Sequence, residues 1–149
     1  MGTGAGGNFG NTKGTQNGLI DELKQSGVKI NENDVVFIAK DDTGQTVWLE
    51  KGTPSVGLEH IVQRHSDDFL NKHGIEQGDI PSHLKNVFSN GKVEYTRLIN
   101  KNGHLGSEKL YSYQGQYYLL SGVGTNGFIV SAYPIDFSVA LKLKGRYGK

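Results

Sequence analysis

The chain has no cysteine. That excludes a disulfide framework, a thiol nucleophile and any zinc or iron–sulfur site held by thiolates. It also removes any need for an oxidising compartment in order to fold. No apolar run approaches the roughly 18 residues that a membrane-spanning helix takes, so insertion into a membrane by this domain is not expected. The opening segment MGTGAGGNFG has neither a basic region nor an apolar stretch, and does not read as a signal peptide. Apolar residues are also scarce, at 35% of the chain, and glycine is the main reason, with 22 of 149 residues. Much of that excess lies within the first eighteen positions, which hold seven of the glycines. The remainder is long enough for one domain with a real core.

The net charge is only +1, yet it is unevenly spread. Residues 1–79 hold twelve acids against seven bases, a balance of −5; residues 80–149 hold three acids against nine bases, a balance of +6. A basic half suits a polyanion, of which phosphate backbones are the commonest. The competing reading is that these lysines only solvate strands and a tail.

Residues 1–17, MGTGAGGNFGNTKGTQN, read as a flexible linker, because nothing there can offset ordering entropy by burial. A linker in this place suggests a piece of a longer polypeptide, and leaves 18–149 as one domain. GLIDELKQS makes a short amphipathic helix. DVVFIAK and QTVWLEK, joined by DDTG, predict a hairpin. A helix is expected from about Pro54 to His65, then a restart with Ser66 as N-cap and a second short helix to His73–Gly74. DIPSHLKNVFSNG is a further helix. From Lys92 the period becomes two, and KVEYTRLIN, SEKLYSYQ, GQYYLLSGV and GFIVSAYP are four strands with hairpin punctuation between them. Helices followed by an antiparallel meander give an α+β class, with short helices and a hairpin packed on a four- to five-stranded antiparallel sheet. The tail SVALKLKGRYGK is open between strand, short helix and disorder.

The stretch richest in chemistry is GLEHIVQRH, residues 57–65. At about 100° per residue with Leu58 at zero, Ile61, Val62, His65 and Phe69 fall on one apolar stripe, while His60 at about 200° and Arg64 at about 240° share the opposite face. An ideal helix therefore separates the two histidines, and both can serve one substrate only if the helix breaks near Ser66. His65 also reads as a core histidine bound to a carbonyl, and His60 with Arg64 as a solvated face. Spacing of i,i+5 fits a metal pair poorly, and Asp67 and Asp68 lie past the expected break, so no metal or cofactor is assigned. His73, His83 and His104 receive no role. GTGAGGNFG lacks the Lys-Ser/Thr of a P-loop, and no G-x-S-x-G elbow supports a serine hydrolase.

In GFIVSAYP, alternation puts Ile129, Ser131 and Tyr133 on one face, with Ser131 and Tyr133 about 7 Å apart. Such a hydroxyl pair can bind phosphate oxygens; an ordinary half-buried strand is the plain alternative. The seven tyrosines, concentrated in YSYQGQYY, could stack bases or form core and cross-strand pairs.

Taken together, WLEKGTPSVGLEHIVQRHSDDF and the later GFIVSAYPI resemble the barnase–EndoU–colicin–RelE-like (BECR) nucleases, and look closest to the phage and polymorphic-toxin branches. The matched pattern is W-x-E-x-G…G-L-x-H-I-x-x-R-H followed by a late I-V-[ST]-A-[YF] strand, and covers roughly residues 45–135. The glycine-rich lead-in resembles the junction where a C-terminal toxin domain joins the secreted carrier of an LXG-type toxin. The resemblance implies metal-independent RNA cleavage in a cleft between helices and sheet, with a cognate immunity protein as partner. It implies a larger carrier polypeptide N-terminal to the domain, secretion with that carrier, and action in the cytoplasm of a target cell. The family's histidines map onto His60 and His65, its arginine onto Arg64 and its late hydroxyl onto Ser131, followed by Tyr133.

RNA cleavage of this kind needs a base for the 2′-OH proton, an acid for the leaving 5′-oxygen and donors for the charge on the phosphorane. Imidazole suits both proton transfers. His60 and His65 are the expected pair, Arg64 the forked phosphate contact, Ser131 and Tyr133 the orienting hydroxyls, and Lys51 a lesser source of positive charge. The product would be a 2′,3′-cyclic phosphate, and the RNA could be tRNA. Two other readings stand beside it: a deoxyribonuclease toxin on the same scaffold, which needs an activated water and usually a metal, and a non-enzymatic nucleic-acid-binding module.

Overall fold

The computed structural model describes residues 16–123 and 126–148. Four helices accompany two antiparallel sheets, the α+β class that the change of hydrophobic period implies. The first helix, α1, spans Gln16–Gln25. Gln16 and Asn17, which composition assigns to the linker, therefore belong to a helix; residues 1–15 lie outside the described residues. β1 (Val35–Lys40) and β2 (Thr46–Glu50) form the hairpin. Its outer face takes Ile38 and Trp48 against Leu19, Ile20 and Leu23 of α1.

Next come α2 (Leu58–His73) and α3 (Ile80–Asn90), then β3 (Lys92–Lys101), β4 (His104–Tyr113), β5 (Gln116–Val123) and β6 (Ile129–Ile135). These strands form a meander in sequence order. The tail is a helix, α4 (Phe137–Tyr147). The sheet has a core on each face. Tyr111, Tyr118, Leu120, Ile129 and Ala132 meet Ile61 and Phe69 of α2 and Leu84 and Phe88 of α3. Tyr95, Leu110, Leu119 and Ile135 meet Ala140 of α4. Residues 118, 119 and 120 thus alternate between the two cores, as strand geometry requires. In β6 the alternation slips: the ladder shifts register between the Ser131 and Ile129 pairings. Ile129 therefore joins the core under α2 instead of sharing a face with Ser131 and Tyr133. A bulge of this kind adds a residue and flips the side chains on one side of it.

The expected break at Ser66 does not occur. α2 runs unbroken through it to Gly74, whose amide and that of Ile75 return to Leu70 and Phe69. The Ser66 hydroxyl donates to the Val62 carbonyl one turn back, at 2.5 Å, and so is satisfied inside the helix instead of capping a new one. The apolar stripe explains the continuity: Ile61 and Phe69 are both fully buried, each contributing about 1.5–3 kcal/mol. Pro54 is also not in the helix; it lies in the loop before it.

That loop positions α2. The Thr53 amide bonds the Val56 carbonyl at 2.8 Å, and the Gly57 amide bonds the Val130 carbonyl of β6 at 2.9 Å. Gly52 and Gly57 both have positive φ, and a Cβ on Gly52 would lie 2.0 Å from the Val56 carbonyl oxygen. Only glycine fits there. At its far end α2 is held to the residue after β6 by Lys72 and Asp136, 2.8 Å apart. The helix therefore lies along β6, the last strand of the sheet.

Candidate active site

The helix and the edge strand bring the two histidines together without a break between them. The His60 and His65 rings are 6.0 Å apart, centre to centre, in a T-shaped arrangement. Helical angle alone would part them; the reach of two long side chains across a separation of about 140° closes the gap. Each ring is oriented through its Nδ1. His60 Nδ1 lies 3.0 Å from the Pro54 carbonyl, and His65 Nδ1 lies 3.1 Å from the Asp68 carboxylate. A carbonyl and a carboxylate can only accept, so both Nδ1 atoms donate and both Nε2 atoms are left for chemistry. Neither partner is the carbonyl bond within a core that one reading of His65 anticipates.

His65 also stacks on Tyr133, with ring centres 4.5 Å apart and planes 18° from parallel. Such a pair contributes about 0.5–1.5 kcal/mol. Burial first, and the Glu108 carboxylate second, push the Tyr133 phenol above its ordinary value, so it stays protonated and able to donate. Ser131, two residues earlier on β6, is buried, and its hydroxyl has no partner among the described residues. A buried hydroxyl without a partner is uncommon in folded proteins, and here it lies two residues from Tyr133, on which His65 stacks.

Ser131 is the end of a polar row that the sequence does not reveal. It pairs with Ser121 of β5, which pairs with Glu108 of β4, which pairs with Arg97 of β3. Directly paired residues share a face, at about 4.8 Å per strand. Four polar side chains thus cross the sheet on the face that carries Tyr95 and Leu110, the face covered by α4, and finish at the β6 edge. Arg97 Nε meets Glu108 Oε2 at 3.0 Å, and the Tyr95 hydroxyl donates to the same oxygen at 2.6 Å. The Arg97 guanidinium lies 3.9 Å from the centre of the Tyr147 ring of α4. Burial, reinforced by Glu108, pushes the Tyr95 phenol well above its ordinary value. Period-two alternation in KVEYTRLIN and SEKLYSYQ marks these residues as sharing a face within each strand, but only the register aligns Arg97, Glu108, Ser121 and Ser131.

The remaining expected residues are less tightly gathered. Arg64 is on α2 near the histidines and is exposed, with no ion pair among the described residues. Lys51 is exposed too; its carbonyl accepts from the Glu59 amide, and no contact links its ammonium to the histidines among the described residues. The tyrosines divide. Tyr111 and Tyr118 are fully buried, and so belong to the core and not to an open stacking platform. Among the described residues no group of three or more His, Asp or Glu side chains is placed to hold a metal ion.

Two of the unassigned histidines also converge, away from this site. His83 Nε2 and the Tyr118 hydroxyl share a 2.6 Å hydrogen bond, and His73 meets the Tyr118 ring edge-on at 4.8 Å. Burial lowers both imidazoles from their ordinary value, and for His73 the neighbouring His83 adds to it. The Tyr118 phenol is pushed up to about 12 by burial.

No protein-family model matches the chain, and no curated protein matches it.

Proposed function

We propose that this chain is a metal-independent endoribonuclease whose active site lies where α2 meets β6. One observation carries the reading: two imidazoles 6.0 Å apart, each with Nδ1 engaged, one of them stacked on Tyr133 of the strand that also carries a buried and unpartnered serine hydroxyl. Transphosphorylation needs two proton-transfer groups that flank one phosphate. His60 and His65 supply them, one taking the 2′-OH proton while the other protonates the departing 5′-oxygen. Ser131 and Tyr133 donate to non-bridging oxygens. Arg64 offers a forked positive contact from the exposed side of α2, and Lys51 a weaker one.

A role as an antibacterial toxin, joined to a secreted carrier and blocked by an immunity protein, belongs to the same reading and rests on the family resemblance alone.

The test is direct. The purified domain, incubated with tRNA in excess EDTA, should release fragments ending in 2′,3′-cyclic phosphate. Cleavage of DNA alone, or cleavage only after a divalent metal is added, would overturn the proposal. Toxicity on expression that persists in a His60→Ala variant would instead point to a binding module.

A further inference from the structure

Beside the polar row, toward the β3–β4 turn, the sheet opens into a cavity of about 540 Å³. Clefts for small ligands run from about 300 to 1,000 Å³. Ile99, Gly106 and Ser121 line it. Gly106 is two residues from Glu108 on β4 and Ile99 two residues from Arg97 on β3, so both share the parity of the row. Ser121 belongs to the cavity and to the row alike. The floor is bare at Gly106, where a Cβ would come within 3.3 Å of the Gly122 carbonyl oxygen. His104 and Leu105, at the turn, complete the wall and are exposed, Leu105 by 46%.

We propose that this cavity is a nucleobase subsite, holding one base of a single-stranded RNA next to the phosphate on the polar row. The inference rests on the nuclease reading for its choice of ligand. Four features select a base over another occupant. A glycine floor beside the apolar Ile99, with Leu105 at the exposed rim by the turn, accepts a planar ring. His104 is an exposed imidazole of the kind that stacks on unpaired bases. The Ser121 hydroxyl, in the lining and on the face of Gly106, can donate or accept at a base edge. Ile99 and Gly106 also lie about 7 Å along their strands from Arg97 and Glu108, two residues of strand rise, which leaves the nucleotide's own phosphate toward Ser131.

The experiment is binding followed by amide NMR, with 3′-mononucleotides and inorganic phosphate as separate probes. The nucleotides should shift the amides of Ile99, Gly106 and Ser121, whereas phosphate alone should shift those near His65 and Ser131. His104→Ala and Leu105→Ala should each weaken nucleotide binding by about 3–10-fold, one kind of base more than the others, and leave phosphate binding unchanged. Gly106→Val, which fills the floor, should abolish the Ile99 and Ser121 shifts. If that variant does not fold, the two wall variants decide the matter. Nucleotides that bind no tighter than phosphate, or shift only residues elsewhere, would overturn the subsite. Binding here by a protein that cleaves no RNA would keep the subsite and remove the nuclease reading. Cleavage indifferent to His104 and Leu105 would do the reverse.

Discussion

Two histidines in one helix carry different burdens. His60 touches only a loop carbonyl through its ring nitrogen, so His60→Ala should lower kcat/KM by about 10²–10⁴, the usual worth of a proton-transfer group. Its melting temperature should stay within a few degrees. His65 lies on the apolar stripe and stacks on Tyr133, so His65→Ala should lose activity and about 1 kcal/mol of stability as well. An aryl phosphodiester of a ribonucleoside separates their roles, because an activated leaving group needs no acid. The variant that regains rate on that substrate lacks the acid, and failure of both to regain it would mean that neither protonates the leaving oxygen. A different residue pair governs folding. Asp41 and Lys109 are both buried and 2.5 Å apart, and Tyr111 donates to Asp41 at 2.9 Å. Burial raises the Asp41 carboxyl, but hydrogen bonds from Lys109, Thr43 and Tyr111 outweigh it and hold it below the ordinary carboxylate value. Asp41→Ala should cost about 3–5 kcal/mol by leaving the ammonium buried alone, and adding Lys109→Met should restore much of that. Chemical denaturation of the single and double variants checks it.

Among the elements, the loop of residues 51–57 links the fold to the candidate chemistry. Its bonds anchor the start of α2 to β6 and present the Pro54 carbonyl to His60. Gly52→Ala places a Cβ against the Val56 carbonyl at a backbone angle that alanine resists. A loss of at least about 1 kcal/mol follows from the angle alone, and RNA cleavage should fall more than the melting temperature does. Equal falls would mean that the loop only braces the fold. The continuity of α2 shows how a capping signal can mislead. A serine after a histidine reads as an N-cap, yet the same hydroxyl is satisfied by the carbonyl one turn back when the apolar stripe continues beyond it.

For the whole molecule, packing of α2 and α3 on the sheet half-buries two histidines. His73 and His83 lie below their ordinary value through burial, so under mildly acidic conditions the unfolded chain binds more protons than the native one. Their contribution to stability is complete above about pH 6.5, and is lost as pH falls from there through the lowered native values. The urea midpoint should drop over that window. His73→Leu and His83→Leu should each flatten the drop, and an unchanged slope in both would assign the acid sensitivity to other groups.

The sequence by itself determined the elements and their order. Hydrophobic period and turn residues mark the hairpin, the third helix and the four strands to within a few residues, because those signals are local. It also marked His60, His65, Ser131 and Tyr133 as residues worth placing. Tertiary structure decided what they meet. Strand register is set by pairing between segments, so the row from Arg97 to Ser131 was invisible beforehand, as was the bulge that sends Ile129 to the opposite core. Whether α2 breaks depends on Phe69 finding a buried seat. The approach of His60 to His65 depends on side-chain reach and on a carbonyl supplied by a loop, neither of which helical angle contains.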